Sequence, residues 1–76
     1  MTKPSQKILA YHLARLKDKN PQVRLQSIQE LEQLGADEAL DALQEVFKTD
    51  SNADVRKAAR EAGRKIFLKQ QNANNS

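Results

Sequence analysis

The sequence predicts an all-α fold: two antiparallel helical hairpins stacked as a minimal α-solenoid, followed by a disordered C-terminal tail. Three observations lead there. The first is an internal echo: Asn20 to Gly35 returns as Asn52 to Phe67, an offset of 32, with Val23-Arg24 over Val55-Arg56, Ser27 over Ala59, Leu31 over Gly63 and Leu34 over Ile66. A chain that repeats itself at this period is built of stacked supersecondary units. The second is apolar spacing, which recurs every three or four residues along both copies. The third is composition: 30% charged, 4% aromatic, two Gly and two Pro in 76 residues, the balance of a helical protein rich in Gln, Glu, Lys, Arg, Ala and Leu.

Each element has its own signals. Residues 1–4 are expected to fray, with Pro4 suited to a first helical turn and Ser5 as an alternative cap. The first helix is expected from Ser5 to Lys17, with Ile8, Leu9, Leu13 and Leu16 on one face. Asp18-Lys19-Asn20-Pro21 ends it: a residue before proline avoids helical geometry, so Asn20 can cap the next helix and Pro21 can take its first position. The second helix runs from Pro21 to Leu34, lined by Val23, Ser27, Leu31 and Leu34 and stopped by Gly35. Asp37 and Glu38 open the third, where carboxylates meet the positive end of the dipole; Ala39, Leu40, Leu43 and Phe47 are its inner face and Lys48 closes it. Thr49 to Asn52 is a turn rich in side-chain acceptors, and Asn52 caps a fourth helix over Ala53 to Leu68. Lys69 to Ser76 has no apolar period and is expected to be disordered. One domain therefore covers residues 1–68, with units over 5–35 and 36–68 and a tail over 69–76. Its expected core is Leu9, Leu13, Leu16, Val23, Ile28, Leu31, Leu34, Leu40, Leu43, Phe47, Val55, Ala59 and Ile66.

A domain of this size buries only about 60% of its unfolded surface and has little stability to spare. Without cysteine it has neither disulfides nor thiolate metal sites, and a single histidine argues against a His-based zinc site. No window approaches a membrane span and no leader is apparent, so the expected location is the cytoplasm, without membrane insertion. The net charge of +3 is unevenly distributed: residues 1–19 carry five basic groups and one acid, residues 20–52 two and seven, and residues 53–76 six and two.

Two helical hairpins whose second helices open Asn-Pro-x-Val-Arg and Asn-Ala-Asp-Val-Arg resemble HEAT repeats, and most closely the short type of phycobilin lyase-like (PBS lyase HEAT-like) proteins. The resemblance covers residues 5–68 and rests on Pro21, Val23, Arg24, Gly35, Asp54, Val55, Arg56, Ala58, Ala59 and Ala62, with Glu38-Ala39-Leu40 at the third helix. It departs at Ala53, where proline is usual, and at Gly63, where a large apolar residue is common. The resemblance implies a solenoid whose second helices line an inner groove, and a cyanobacterial pigment-protein or photosystem setting. HEAT repeats serve many unrelated tasks, so the fold alone does not select one.

Repeat arrays need polar end faces. Tyr11, Arg15, Gln26 and Glu30 in the first unit become Ala42, Val46, Ala58 and Ala62 in the second; conversely, Leu13 becomes Gln44 and Ile28 becomes Arg60. The pattern predicts a doubly capped pair that folds as one monomeric body, with the four alanine and valine positions in the seam.

No catalytic set is visible. His12 is the single histidine, nothing places it with Ser27 or Ser51, and no glycine-rich loop cradles phosphate. No cofactor or metal is expected, and the chain is read as no enzyme. Arg24 and Arg56 are read chiefly as braces to loop carboxylates such as Asp18 or Asp50, and alternatively as ligand-facing groups. Lys57, Arg60 and Arg64 recur on the exposed face of the last helix, and Leu25 is expected to point away from the core. The bland reading of these four is a solvated face with one exposed leucine. The sharper reading is a contact for a protein partner with an acidic surface, in an adaptor, assembly factor or regulator. The runner-up is a nucleic-acid-associated protein using the basic last helix, against which stands the expected lack of an aromatic on that face. A third possibility is an enzyme subunit that needs a larger partner.

Overall fold

The computed structural model describes residues 5–75, with side-chain surroundings to Asn72. It contains four α-helices, α1 (Gln6–Arg15), α2 (Pro21–Leu34), α3 (Leu40–Thr49) and α4 (Ala53–Asn75), with a 3-10 turn at Asp37–Ala39 and no strand among the described residues. Helix α1 pairs with α2 and α3 with α4, and the two hairpins join chiefly where α2 packs on α4. The expected fraying of residues 1–4 and the placement of Pro4 lie outside the described residues.

The helix boundaries follow from local hydrogen bonds. Ser5 Oγ accepts from the amides of Lys7 and Ile8 at 3.2 and 3.3 Å and caps α1. The expected end at Lys17 is replaced by a tightened last turn: the amides of Leu16, Lys17 and Asp18 donate three residues back, to Leu13, Ala14 and Arg15. A two-step cap then occurs once per unit. Asp18 Oδ1 accepts from the Asn20 amide at 2.8 Å and Asn20 Oδ1 from the Gln22 amide at 2.9 Å. Asp50 Oδ1 accepts from the Asn52 amide at 2.9 Å and Asn52 Oδ1 from the amides of Asp54 and Val55 at 2.8 and 3.1 Å. The repeated Asp-x-Asn is thus one capping device used twice. Gly35 closes α2 at φ 63°, in the left-handed region that a side chain disfavours.

Helix α4 continues past Leu68, where the sequence reading ends it and begins a disordered tail, and runs to Asn75. After Gly63 there is no glycine or proline to stop it, Lys and Gln are good helix formers, and Gln70 Nε2 donates to Asp37 Oδ2 at 3.0 Å.

The core is a single cluster that includes Leu9, Leu16, Ile28, Leu31, Leu43, Val55, Ala59, Ala62 and Ile66. Leu13, Leu34 and Leu40 are half-buried against it, and so are Ala42, Val46 and Ala58, which the sequence pattern assigns to the seam. Val23, expected in the core, is half-buried. Phe47 corrects the expectation outright: it is 41% exposed. It lies on the apolar stripe of α3, but at the flank that no further helix covers. Ser27 is fully buried and its hydroxyl donates to the His12 carbonyl, which joins α2 to α1 and satisfies the one polar residue among the described residues that is buried in the core.

Candidate interaction surface

The two arginines that follow the repeated valines are braces. Arg24 places Nε 2.8 Å from Asp50 Oδ2 and donates through Nη2 to Asp50 Oδ1 at 3.0 Å, with both side chains largely buried. Its Nη1 donates to the carbonyls of Asp18 and Lys19 at 2.7 and 3.1 Å. Arg56 repeats the contact to the Asp18 carbonyl, by donating through Nη1 to the Asp50 carbonyl at 2.7 Å. Of these two arginines, Arg24 is the one whose side-chain contacts among the described residues span the two units. It holds the α1–α2 turn and the α3–α4 turn side by side, through a planar fork suited to a carboxylate.

The cations of α4 are arranged differently. Lys57, Arg60 and Arg64 are exposed, lie three and four residues apart on one face, and have no ion-pair partner among the described residues. Arg60 holds its guanidinium 5.9 Å from the ring centroid of Phe47. Beside it, α3 and α4 bound an open groove of about 310 Å³ with Leu40, Ala59 and Gly63 in its lining, Phe47 and Phe67 as aromatic walls, and Arg60 and Arg64 at its border. Phe67 is 49% exposed. The expectation that no aromatic accompanies the basic face is therefore corrected. Phe67 falls outside the buried series Val55, Ala59, Ala62 and Ile66. That spacing is the signal in the sequence that could have placed it on the surface.

Leu25 is corrected as well. It does not point away from the core but lies half-buried against it. Helix α2 is flanked on one side by α1 and on the other by α4, so more than one stripe of it is covered. The structure thus brings Arg60 and Arg64 to one groove, leaves Lys57 on the same helix, and sets Leu25 against the core from α2.

At the other end of the stack, Arg15 donates to Tyr11 Oη at 3.0 Å and to Gln26 Oε1 at 3.3 Å, and its guanidinium lies 5.2 Å from the Tyr11 ring centroid. Among the described residues no group of three His, Cys, Asp or Glu side chains is arranged to hold a metal ion, and no helix is long and apolar enough to cross a membrane.

The family described as HEAT repeats matches residues 2–63. The chain belongs to the HEAT-repeat family. No curated protein and no solved structure matches it. In this HEAT pair, α1 and α3 are the first helices of the units, α2 and α4 the second, and the Asp-x-Asn caps with their arginines form the turns inside each hairpin. HEAT repeats commonly mediate protein–protein interaction.

Proposed function

We propose that this HEAT-repeat chain is a non-enzymatic protein-interaction module, an adaptor, assembly factor or regulator that binds an acidic protein surface. The observation that carries the reading is the row Lys57, Arg60 and Arg64, exposed and without ion-pair partners among the described residues. Rim charges of this kind steer association and select partners by complementarity. Leu25, half-buried on α2, adds an apolar element to the contact. The Ser27 hydroxyl is committed to a backbone carbonyl rather than to the His12 ring, which supports a binding role over nucleophilic catalysis. The chain works as a monomer in the cytoplasm. Its short units and Val-Arg helix openings support the phycobilin lyase-like subtype, with a partner in a cyanobacterial phycobilisome or photosystem setting.

The second reading, nucleic-acid association, gains from the two phenylalanines beside the cations, since bases stack on aromatic rings. Two measurements separate the readings. Affinity capture from the native host, with the full chain and with its Lys57→Glu and Arg64→Glu variants, is expected to retain an acidic protein that both variants lose. Leu25→Asp is expected to speed dissociation of that protein. Tight, salt-sensitive binding of arbitrary labelled duplexes or single strands, unaffected by Leu25→Asp, would instead establish the nucleic-acid reading.

A further inference from the structure

We propose that the groove between α3 and α4 is a docking site for an acidic amphipathic helix of a partner protein, which seats its apolar stripe between Phe47 and Phe67 and its carboxylates on Arg60 and Arg64. The proposal rests on the reading that the basic face of α4 binds an acidic protein, and it names the shape of that partner and its seat.

The molecule itself shows what this surface accepts. Equivalent positions of the first unit, Leu9, Leu16 and Ile28, are 4%, 5% and 1% exposed. The second unit packs on the first chiefly through α4 on α2, and Ala42, Val46, Ala58 and Ala62 belong to or pack against the core that the two units share. One repeat further on, the same positions are Leu40, Phe47 and Arg60, and nothing among the described residues covers them: Leu40 is half-buried, Phe47 is 41% exposed and Arg60 is exposed. The groove thus has the form of a surface that takes a helix with small or medium apolar residues. Gly63 adds no side chain to its lining.

Charge selects the occupant. The border of the groove is cationic and no acid lines it. A second copy docked face to face would bring Arg60 and Arg64 against their own counterparts. A helix with glutamates flanking its apolar stripe meets them with opposite charge, and buried aromatics with arginines are the side chains that most often dominate such contacts. A nucleic acid fits less well. Arg60 already covers one of the two rings, and both belong to the lining of an apolar groove rather than to a row of rings along which successive bases stack.

The test titrates the full chain with a fluorescein-labelled helical peptide carrying a Leu/Ala stripe at i, i+3, i+4 and i+7 and glutamates on both borders. A peptide with lysines in place of the glutamates, and labelled single-stranded DNA, are the comparators. The expected result is binding of the glutamate peptide alone, weakened about tenfold by Phe47→Ala or Phe67→Ala and by a similar factor by Arg64→Glu, a surface change that leaves packing intact. Backbone amide shifts should cluster on α3 and α4. If Lys57→Glu abolishes binding while both phenylalanine variants bind normally, the groove is overturned and the basic-face reading stands. Equal binding of the lysine peptide overturns the choice of an acidic occupant. Preference for DNA overturns both readings. Concentration-dependent dimerisation that Phe67→Ala abolishes assigns the groove to a second copy and overturns the proposal.

Discussion

At the α1–α2 end of the stack, Arg15 bonds both Tyr11 and Gln26 and lays its guanidinium beside the tyrosine ring. At the α3–α4 end, Arg60 also meets an aromatic ring, but that ring is Phe47, with no polar atom to pair, and the neighbouring Phe67 and Arg64 stay open to solvent. The two ends carry similar side chains and finish differently. At the first, an arginine, a phenol and an amide bond to one another and, with His12 and Glu30, line a small polar pocket of about 140 Å³. At the second, Gln44 and Arg60 replace the apolar Leu13 and Ile28 of the first unit, yet the apolar lining beneath them remains accessible. Polar residues at repeat positions therefore do not by themselves close a solenoid. What differs is the lining they leave: bonded polar groups at one end, apolar and aromatic groups at the other.

Both ends share one core, and the largest expected effect tests that sharing. Leu31 is fully buried, and Leu31→Ala is expected to cost about 2–5 kcal/mol, a large part of the stability of a domain this small. A single thermal transition, lowered as a whole, is the expected result. Two separate transitions would show that the ends belong to independent bodies. Next in size is the brace between the units. Arg24→Ala leaves the Asp50 carboxylate without its cation and removes bonds to two carbonyls. Its expected cost is about 2 kcal/mol, a figure set between those of buried and exposed pairs, and is read by urea denaturation. Arg56→Ala, which gives up one carbonyl contact, is expected to cost less.

The glycines sharpen the contrast further. Gly63→Ala is expected to stabilise the open end by about 1 kcal/mol, because an interior helical glycine gains from a methyl that has room. Gly35→Ala is expected to destabilise by about 1 kcal/mol, because its φ of 63° strains any L side chain. Melts of the two variants should move in opposite directions. The smallest effect belongs to the α1–α2 end. Arg15→Ala removes two solvent-exposed hydrogen bonds and should cost about 0.5 kcal/mol.

Local punctuation made much of the fold legible. Helix α2 has the predicted bounds because Asn20, Pro21 and Gly35 mark both ends with groups whose geometry is decided within a few residues. The end of α4 was not legible in the same way. The chain past Leu68 has no stop signal, and its bond from Gln70 to Asp37 joins residues far apart in sequence. The apolar period gave the stripe of α3 but not the fate of Phe47 on it, because period fixes which way a residue faces and not whether another helix lies there. Leu25 was misread for the complementary reason: α2 is covered on two sides, and a single stripe undercounts what is buried. The cations of the candidate site were plain in the sequence. The phenylalanines beside them needed the packing of two helices.

The central claim is that the binding end is the α3–α4 end, with its apolar and aromatic groove, and not the α1–α2 end, whose polar groups bond to one another. Measuring the affinity of the glutamate-bordered peptide for Phe67→Ala and Tyr11→Ala side by side tests it most directly. The account predicts a loss of about tenfold for Phe67→Ala and none for Tyr11→Ala. An equal or larger loss for Tyr11→Ala, with Phe67→Ala unchanged, would contradict it and move the binding surface to the opposite end of the molecule.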